Sequence, residues 1–168
     1  MAYGNMGTCY KSLGQFNKAL QFQEKRLVIT VELGDRLEEG RAYCNMGTCY
    51  NGLGQFNKAL EFHEKHLAIA VEVGDRISEG AAYSNMGNAY NGLNQFTKAL
   101  KFHEKELAID MELGDRDGEG KAYGNLGSAY YNLGQYTKAL AFSEKSLAVA
   151  LEVGDRAGAE SAKKNLEI

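Results

Sequence analysis

The chain has no proline and no tryptophan in 168 residues, and only three cysteines. Without proline, nothing in the sequence forces a break in a helix interior, which agrees with a helical array. Cys9, Cys44 and Cys49 form no Cys-x-x-Cys pair, and their odd number argues against a disulfide framework. Reduced thiols and a cytoplasmic setting are expected. No apolar run is long enough to span a bilayer, so membrane insertion is not expected, and no signal peptide is visible. The net charge is −3, with Lys and Glu interleaved along the chain, so there is no electrostatic footprint for nucleic acid. Neither a glycine-rich phosphate loop nor a Ser/His/Asp grouping stands out. No cofactor site is expected, and the protein is not expected to be an enzyme.

What is present is repetition. Nearly the same nine residues start at Ala2 (AYGNMGTCY), Ala42 (AYCNMGTCY), Ala82 (AYSNMGNAY) and Ala122 (AYGNLGSAY), a period of 40. A fixed period of this length marks stacked units, none of which can bury its apolar face alone. Each unit is punctuated by Gly-Asp-Arg, beginning at Gly34, Gly74, Gly114 and Gly154. The glycine tolerates left-handed backbone at a helix end, and the aspartate, as at Asp35, accepts from the free N–H groups of the next helix. Glu38 stands where a capping box requires it, and Glu39, Glu79 and Glu119 put negative charge in the first turn. Arg36, Arg76, Arg116 and Arg156 oppose the helix dipole, so compensating ion pairs are expected. The candidates are those glutamates three residues on, or Glu32, Glu72, Glu112 and Glu152, which precede each turn.

Downstream of the cap, Ala42, Met46, Cys49 and Leu53 recur at helical spacing, and Tyr43 and Tyr50 widen the stripe into a helix A. Gly54 ends it, as do Gly14 and Gly134 in their units, while the third unit uses Asn94, the next most tolerant residue there. A second run, from Phe56 through Ala59, Leu60, Phe62, Leu67 and Ile69 to Val73, gives a helix B. The 20 glycines cost about 1 kcal/mol each inside helices relative to Ala, so stability has to come from stacking. Gly7, Gly47, Gly87 and Gly127 are expected to let helix A approach its neighbour closely.

Tyr43-x2-Met46-Gly47-x2-Tyr50, followed by Ala59, resembles the tetratricopeptide signature with Tyr in place of Trp. The resemblance covers the whole chain, with three departures. The period is 40, Phe62 comes three residues after Ala59 instead of four, and Gly-Asp stands where the signature ends on Pro. With L-G-Q-F and G-D-R-x-x-E-G, these features are similar to the long-helix arrays of Pins/LGN-type scaffold proteins. The resemblance implies an all-α, right-handed α-solenoid of four helix-turn-helix repeats, at approximately 2–34, 35–74, 75–114 and 115–154, plus a C-terminal capping helix over 155–168, all in one domain. It further implies that helix A lines a concave groove that holds peptides, and that partner segments are extended and acidic.

Several chemical motifs dissolve once the repeats are aligned. Cys9 and Cys49 share a slot with Ala89 and Ala129, and Cys44 shares one with Gly4, Ser84 and Gly124, so small-residue packing explains them better than a metal. His63 and His66 lie three apart, whereas a zincin pair needs i, i+4. Their counterparts are Gln23 and Arg26, His103 and Glu106, and Ser143 and Ser146, so a polar patch beside the helix interface is expected. Asp115-Arg116-Asp117-Gly118 opens like a calcium loop, but loop position 12 is Leu126, and a turn with a helix start is expected instead.

One polar feature survives. Asn5, Asn45, Asn85 and Asn125 recur in every unit and Asn165 repeats the position, although Asn is a poor helix former. In the second unit Arg41, Asn45, Thr48 and Gly52 make one line along helix A. Its counterparts are Ala81, Asn85, Asn88 and Gly92, then Lys121, Asn125, Ser128 and Asn132. A carboxamide offers both donor and acceptor, so such a row can clamp the backbone of an extended segment of another protein. Arg41 and Lys121, with Lys11, would attract its carboxylates. The candidate peptide-binding residues are thus Asn5, Arg41, Asn45, Thr48, Asn85, Asn88, Lys121, Asn125 and Ser128. In the competing view each Asn bonds a neighbouring helix and only spaces the repeats, and the whole chain is a structural or designed array with no dedicated ligand, prone to self-association.

The sequence starts inside a helix A, without Gly-Asp-Arg. At its other end Ala162, Asn165 and Leu166 match Ala122, Asn125 and Leu126, with Lys163 and Glu167 replacing Tyr and Gly. An excised fragment or an engineered array, closed by a polar capping helix, is expected. Residues 1–40 and 41–80 differ at 12 positions and so share 28 of 40. Tyr3, Met6 and Tyr10 are therefore counterparts of residues that the second unit buries. A weak homodimer through the two N-terminal faces is expected, the cap disfavouring head-to-tail stacking.

Overall fold

The computed structural model describes residues 2–166, and these are helical apart from short turns. They fall into two compact units, Met1–Leu93 and Asn94–Ile168. The first unit contains α1 (Ala2–Ser12), α2 (Phe16–Leu33), α3 (Arg36–Gly52), α4 (Phe56–Val73) and α5 (Arg76–Gly92). Gly34 ends α2 with φ at 67°, and the N–H groups of Gly34 and Asp35 bond back to the carbonyls of Val31 and Thr30 at 3.1 and 2.9 Å. That double bond absorbs carbonyls the helix end would leave orphaned. Asp35 then accepts from the Glu38 N–H at 3.1 Å, and Asp75 from the Ser78 N–H at 3.0 Å, so each Gly-Asp pair stops one helix and starts the next.

Packing in this unit joins helix B of one repeat to helix A of the next. Ala19 and Leu20 on α2 meet Met46 and Cys49 on α3, and Tyr10, Phe16, Tyr50 and Phe62 close over them. A Cβ on Gly52 would lie 2.4 Å from the Phe16 ring, and one on Gly92 would lie 2.3 Å from the Phe56 ring. Glycine therefore lets the last turn of helix A rest on an aromatic ring. Within a repeat the A and B helices are joined by stacked rings, Tyr10 on Phe22 and Tyr50 on Phe62, at 5.3 and 5.2 Å.

The second unit contains α6 (Phe96–Leu113), α7 (Arg116–Asn132), α8 (Tyr136–Val153) and α9 (Arg156–Leu166). Leu100 packs on Leu126 and Ala129, which is the α2–α3 contact again with Leu for Met and Ala for Cys. Asp115 accepts from the Gly118 N–H at 2.9 Å, so the calcium-like tetrapeptide is a helix cap. α9 buries Ala159 and Ala162 and leaves Lys163 exposed, while Glu167 lies outside the described residues.

Arg36, Arg76 and Arg116 are paired with the glutamate three residues on, and Arg36 and Arg116 take a second partner different from the one preceding them in sequence. Arg36 donates to Glu39 at 2.6 Å and forks onto Glu72 of α4, with Nε to Oε1 at 3.0 Å. Arg116 does the same with Glu119 and with Glu152 of α8. The fork ties the start of helix A to the end of helix B in the same repeat. The contacts to Glu72 and Glu152 are solvent-exposed and individually weak, whereas Glu39 and Glu119 are buried.

The positions of Gln23, His63, His103 and Ser143 are not a patch beside an interface but part of the interior, and all four side chains are buried. The cause is the glycine opposite. A Cβ on Gly7 would lie 2.3 Å from Gln23 Nε2, and one on Gly47 would lie 2.4 Å from His63 Cε1, so the missing side chain is the slot each residue fills. At Gly127 the occupant is only Ser143, with Oγ at 3.0 Å, and a cavity of about 160 Å³ opens there.

Candidate functional site

In the first unit Asn5 is exposed on α1, whereas Asn45 on α3 and Asn85 on α5 are half-buried. Lys11 of α1 donates to Asn45 Oδ1 at 3.0 Å, and Asn85 Nδ2 approaches the Cys44 sulfur at 3.8 Å. Each carboxamide thus uses one end on the neighbouring helix A and keeps the other. Asn45 retains its two N–H donors, and Asn85 retains its carbonyl. The Thr48 hydroxyl donates to its own helix, to the Cys44 carbonyl at 2.9 Å, and so faces outward only as an acceptor. Asn88 is exposed and makes no side-chain hydrogen bond among the described residues.

Arg41 is on this face but not alone. It donates to Glu38 at 2.6 Å, and Glu38 also takes Arg26 of α2. Arg26 first, then Arg41, hold the Glu38 carboxyl below the usual carboxylate range, against the opposing effect of burial. Two guanidinium groups share this one carboxylate, and Asp75 lines the small pocket beside Arg41, so the positive and negative charges there balance.

In the second unit Asn125 is half-buried on α7 and forms no side-chain hydrogen bond among the described residues. It lines a cavity of about 230 Å³ between α7, α8 and α9, together with Lys121, Ser128, Ser161 and Asn165. The Ser128 hydroxyl is turned onto the Gly124 carbonyl at 3.0 Å, repeating Thr48. Lys121 pairs with Asp117 one turn back, which with nearby carboxylates holds its ammonium above the ordinary lysine range. Asp117 and Asp155 both line the cavity, so two carboxylates face one ammonium group.

The structure therefore brings Asn125, Lys121 and Ser128 around one cavity, and separately gathers Arg41, Asn45, Thr48, Asn85 and Asn88 on helix A surfaces of the first unit. The acidic neighbours Glu38 and Asp117 escaped the sequence reading. Their spacing of three and four residues from Arg41 and Lys121 carried the signal, because such pairs adjoin on a helix surface. Among the described residues no group of three or more His, Cys, Asp or Glu is arranged to hold a metal, and no helix is long and apolar enough to cross a membrane.

Helix pairs repeated every 40 residues, with glycine slots and Asp-capped turns, define an α-solenoid repeat protein. The tetratricopeptide repeat model matches residues 1–72 and 78–152, and the chain belongs to that family. Among solved structures, aspartyl phosphate phosphatase F from Bacillus subtilis is 18% identical with a TM-score of 0.91, over 96% of this chain and 42% of that one. A Podosopora anserina putative kinesin light chain with nearly identical TPR-like repeats is 19% identical, with a TM-score of 0.80, over 98% of this chain and 82% of that one. A Rap protein complexed with Competence and Sporulation Factor is 16% identical, with a TM-score of 0.82, over 95% of this chain and 45% of that one. At these identities the likeness establishes the fold. The chain spans less than half of the phosphatase and of the Rap protein. No curated protein matches it in sequence.

Proposed function

We propose that the chain is a non-enzymatic interaction scaffold whose helix A faces hold an extended segment of another protein. The observation that carries this is Asn125. A residue kept only to space the repeats is bonded to its neighbour, as Asn45 is to Lys11, whereas Asn125 stands unbonded on the wall of a cavity with Lys121 and Ser128 beside it. A half-buried carboxamide in a helix costs propensity and desolvation, and a ligand's backbone amide offsets both. That a solved structure of this fold is a complex, of a Rap protein with its factor, is in keeping with this reading.

The charge environment differs between the two faces. Near Arg41 two guanidinium groups balance Glu38 and Asp75. Near Lys121, Asp117 and Asp155 outnumber the ammonium group and disfavour carboxylates. We therefore propose that acidic groups of a bound segment are tolerated at the α3 face and disfavoured at the α7 face, each face taken by itself. The three unpaired cysteines suit a cytoplasmic scaffold. The competing reading, a purely structural array, is favoured by the Asn45–Lys11 and Asn85–Cys44 contacts.

The test is to select extended peptides on the chain from a random display library and compare their affinity for Asn125→Ala. A loss of roughly 0.5–1.5 kcal/mol with an unchanged melting temperature is expected. Unchanged affinity with a lowered melting temperature would assign the row to packing.

A further inference from the structure

The space enclosed by a helix A, its helix B and the next helix A is filled differently along the chain. Between α1, α2 and α3 it holds the guanidinium of Arg26, whose Cζ lies 3.2 Å from where a Cβ on Gly4 would stand and which donates to Glu38. Between α3, α4 and α5 it holds the buried ring of His66, with Asp75 beside it, and only about 10 Å³ is left. Between α7, α8 and α9 the counterpart of Arg26 and His66 is Ser146, and the cavity of about 230 Å³ that Asn125 lines stands there. The room comes from the residues themselves: Ser146 replaces His66, Gly124 replaces Cys44, Val149 replaces Ile69 and Gly158 replaces Ser78.

The wall of this cavity is rich in acceptors. Ser146 spends its hydroxyl hydrogen on the Gly120 carbonyl at 2.8 Å, and Ser128 spends its own on the Gly124 carbonyl at 3.0 Å, so both oxygens meet the cavity only as acceptors. Asp117 and Asp155 add two carboxylates, against the ammonium of Lys121, which already donates to Asp117. The balance of charge is negative. The volume is also below the roughly 300 Å³ at which pockets for drug-sized molecules begin, so the space suits a side chain.

We propose that this cavity takes the guanidinium group of an arginine side chain carried by the bound segment. The inference rests on the reading of the helix A faces as a site for such a segment. A guanidinium carries only donors, remains charged, and is flat, so it suits a wall of carboxylate and hydroxyl oxygens. Its planar fork meets Asp155 and the two serine oxygens, while its methylene stem lies along Val149, Val153 and Ala162. The chain supplies the precedent. Arg26 and His66 put a flat nitrogen group into the same space with a carboxylate at hand, and the bound segment supplies the group that Ser146 lacks.

An NMR titration with N-acetyl-arginine amide, against N-acetyl-citrulline amide as its uncharged counterpart, tests this at the backbone amides of Gly124 and Gly158 and the side-chain amide of Asn125. Saturable shifts are expected with the arginine probe, and binding on the order of tenfold weaker with citrulline, because the charge-assisted hydrogen bonds are lost. Ser146→Arg lets the chain fill the cavity itself, in the pairing that Gly4 and Arg26 already make, and is expected to abolish the shifts, with circular dichroism confirming that it stays helical. Asp155→Asn keeps a side chain able to cap α9, and is expected to weaken the arginine probe about tenfold while leaving citrulline unchanged. No saturable shift with the arginine probe, equal binding of the two probes, or undiminished binding to a folded Ser146→Arg protein overturns the proposal. The wider reading fails separately. Display-selected peptides that bind along α7 and lose nothing when their arginines become citrulline would keep the segment and remove this inference, whereas an arginine probe that enters the cavity while no peptide binds along α7 would keep the guanidinium site and remove the segment.

Discussion

Asp110 sits where other repeats place Ala70, Ala150 or Thr30, and replacing it with alanine is expected to stabilise the protein at neutral pH and hardly at all in acid. Its Oδ2 is buried without a partner. Burial first, then the charges of Glu106, Asp115 and Glu119, push its carboxyl up to about 6, with Lys121 opposing. Against an unfolded value near 3.9 this is about two pH units, or about 3 kcal/mol in full. Water still reaches part of the group, so about half of that is retained, and alanine adds roughly 0.5 kcal/mol of helix propensity. The expected gain for Asp110→Ala at pH 7.5 is about 2 kcal/mol, a rise of roughly 4–8 °C in melting midpoint for a chain of this size. The sign follows from proton uptake. Between pH 4 and 6 the native state holds the Asp110 proton more tightly than the unfolded chain does, so the native state gains stability as pH falls through 6. Below pH 4 both states are protonated and only the propensity gain is left. Thermal melts of the two proteins at pH 7.5 and at pH 4 make the comparison, with other carboxylates cancelling between them. An equal gain at both pH values would refute the electrostatic reasoning, and no gain at pH 7.5 would show that Asp110 has a favourable partner.

Gly47→Ala and Gly127→Ala should part company in urea denaturation. At Gly47 the added Cβ meets the buried His63 ring at 2.4 Å and is expected to cost about 1–3 kcal/mol, whereas at Gly127 its tightest contact is Ser143 Oγ at 3.0 Å beside a cavity, the Ala139 carbonyl lying at an ordinary 3.4 Å, and the helix propensity of Ala offsets the crowding. His63 itself, with both ring nitrogens buried and unpartnered, is held down to about 4 by burial and then by His66. The native state therefore takes up fewer protons than the unfolded chain, and stability is lost as pH falls from about 6.5 toward 4. His63→Gln, which copies Gln23 in the first slot, should flatten that part of the stability–pH curve; an unchanged slope would place the titration elsewhere.

The helix boundaries were legible because Gly34-Asp35 and its repeats encode both a left-handed stop and a cap in adjacent residues. Asn94, at φ 58°, performed the glycine's role as its residue type suggested. The glycine slots were legible as close approaches, but not their occupants. His63 comes from helix B, sixteen residues beyond Gly47, and nothing in the local pattern of either helix says that its ring rather than a neighbour's enters the slot. At the candidate site, the Asn row and its alignment with Arg41 and Lys121 followed from helical spacing. The Lys11–Asn45 bond spans 34 residues, and the cavity at Asn125 depends on where α9 packs against α8, so both needed the tertiary structure.

The central claim is that the asparagine row binds a chain segment instead of spacing helices. Its most direct test is a heteronuclear NMR titration of the protein with a selected peptide, following the side-chain amide resonances of the asparagines. The account predicts that the side-chain amide of Asn125, or that of Asn45 whose donors are still free, shifts in a saturable way. Saturable binding that leaves both side chains unmoved and shifts other surfaces would contradict it.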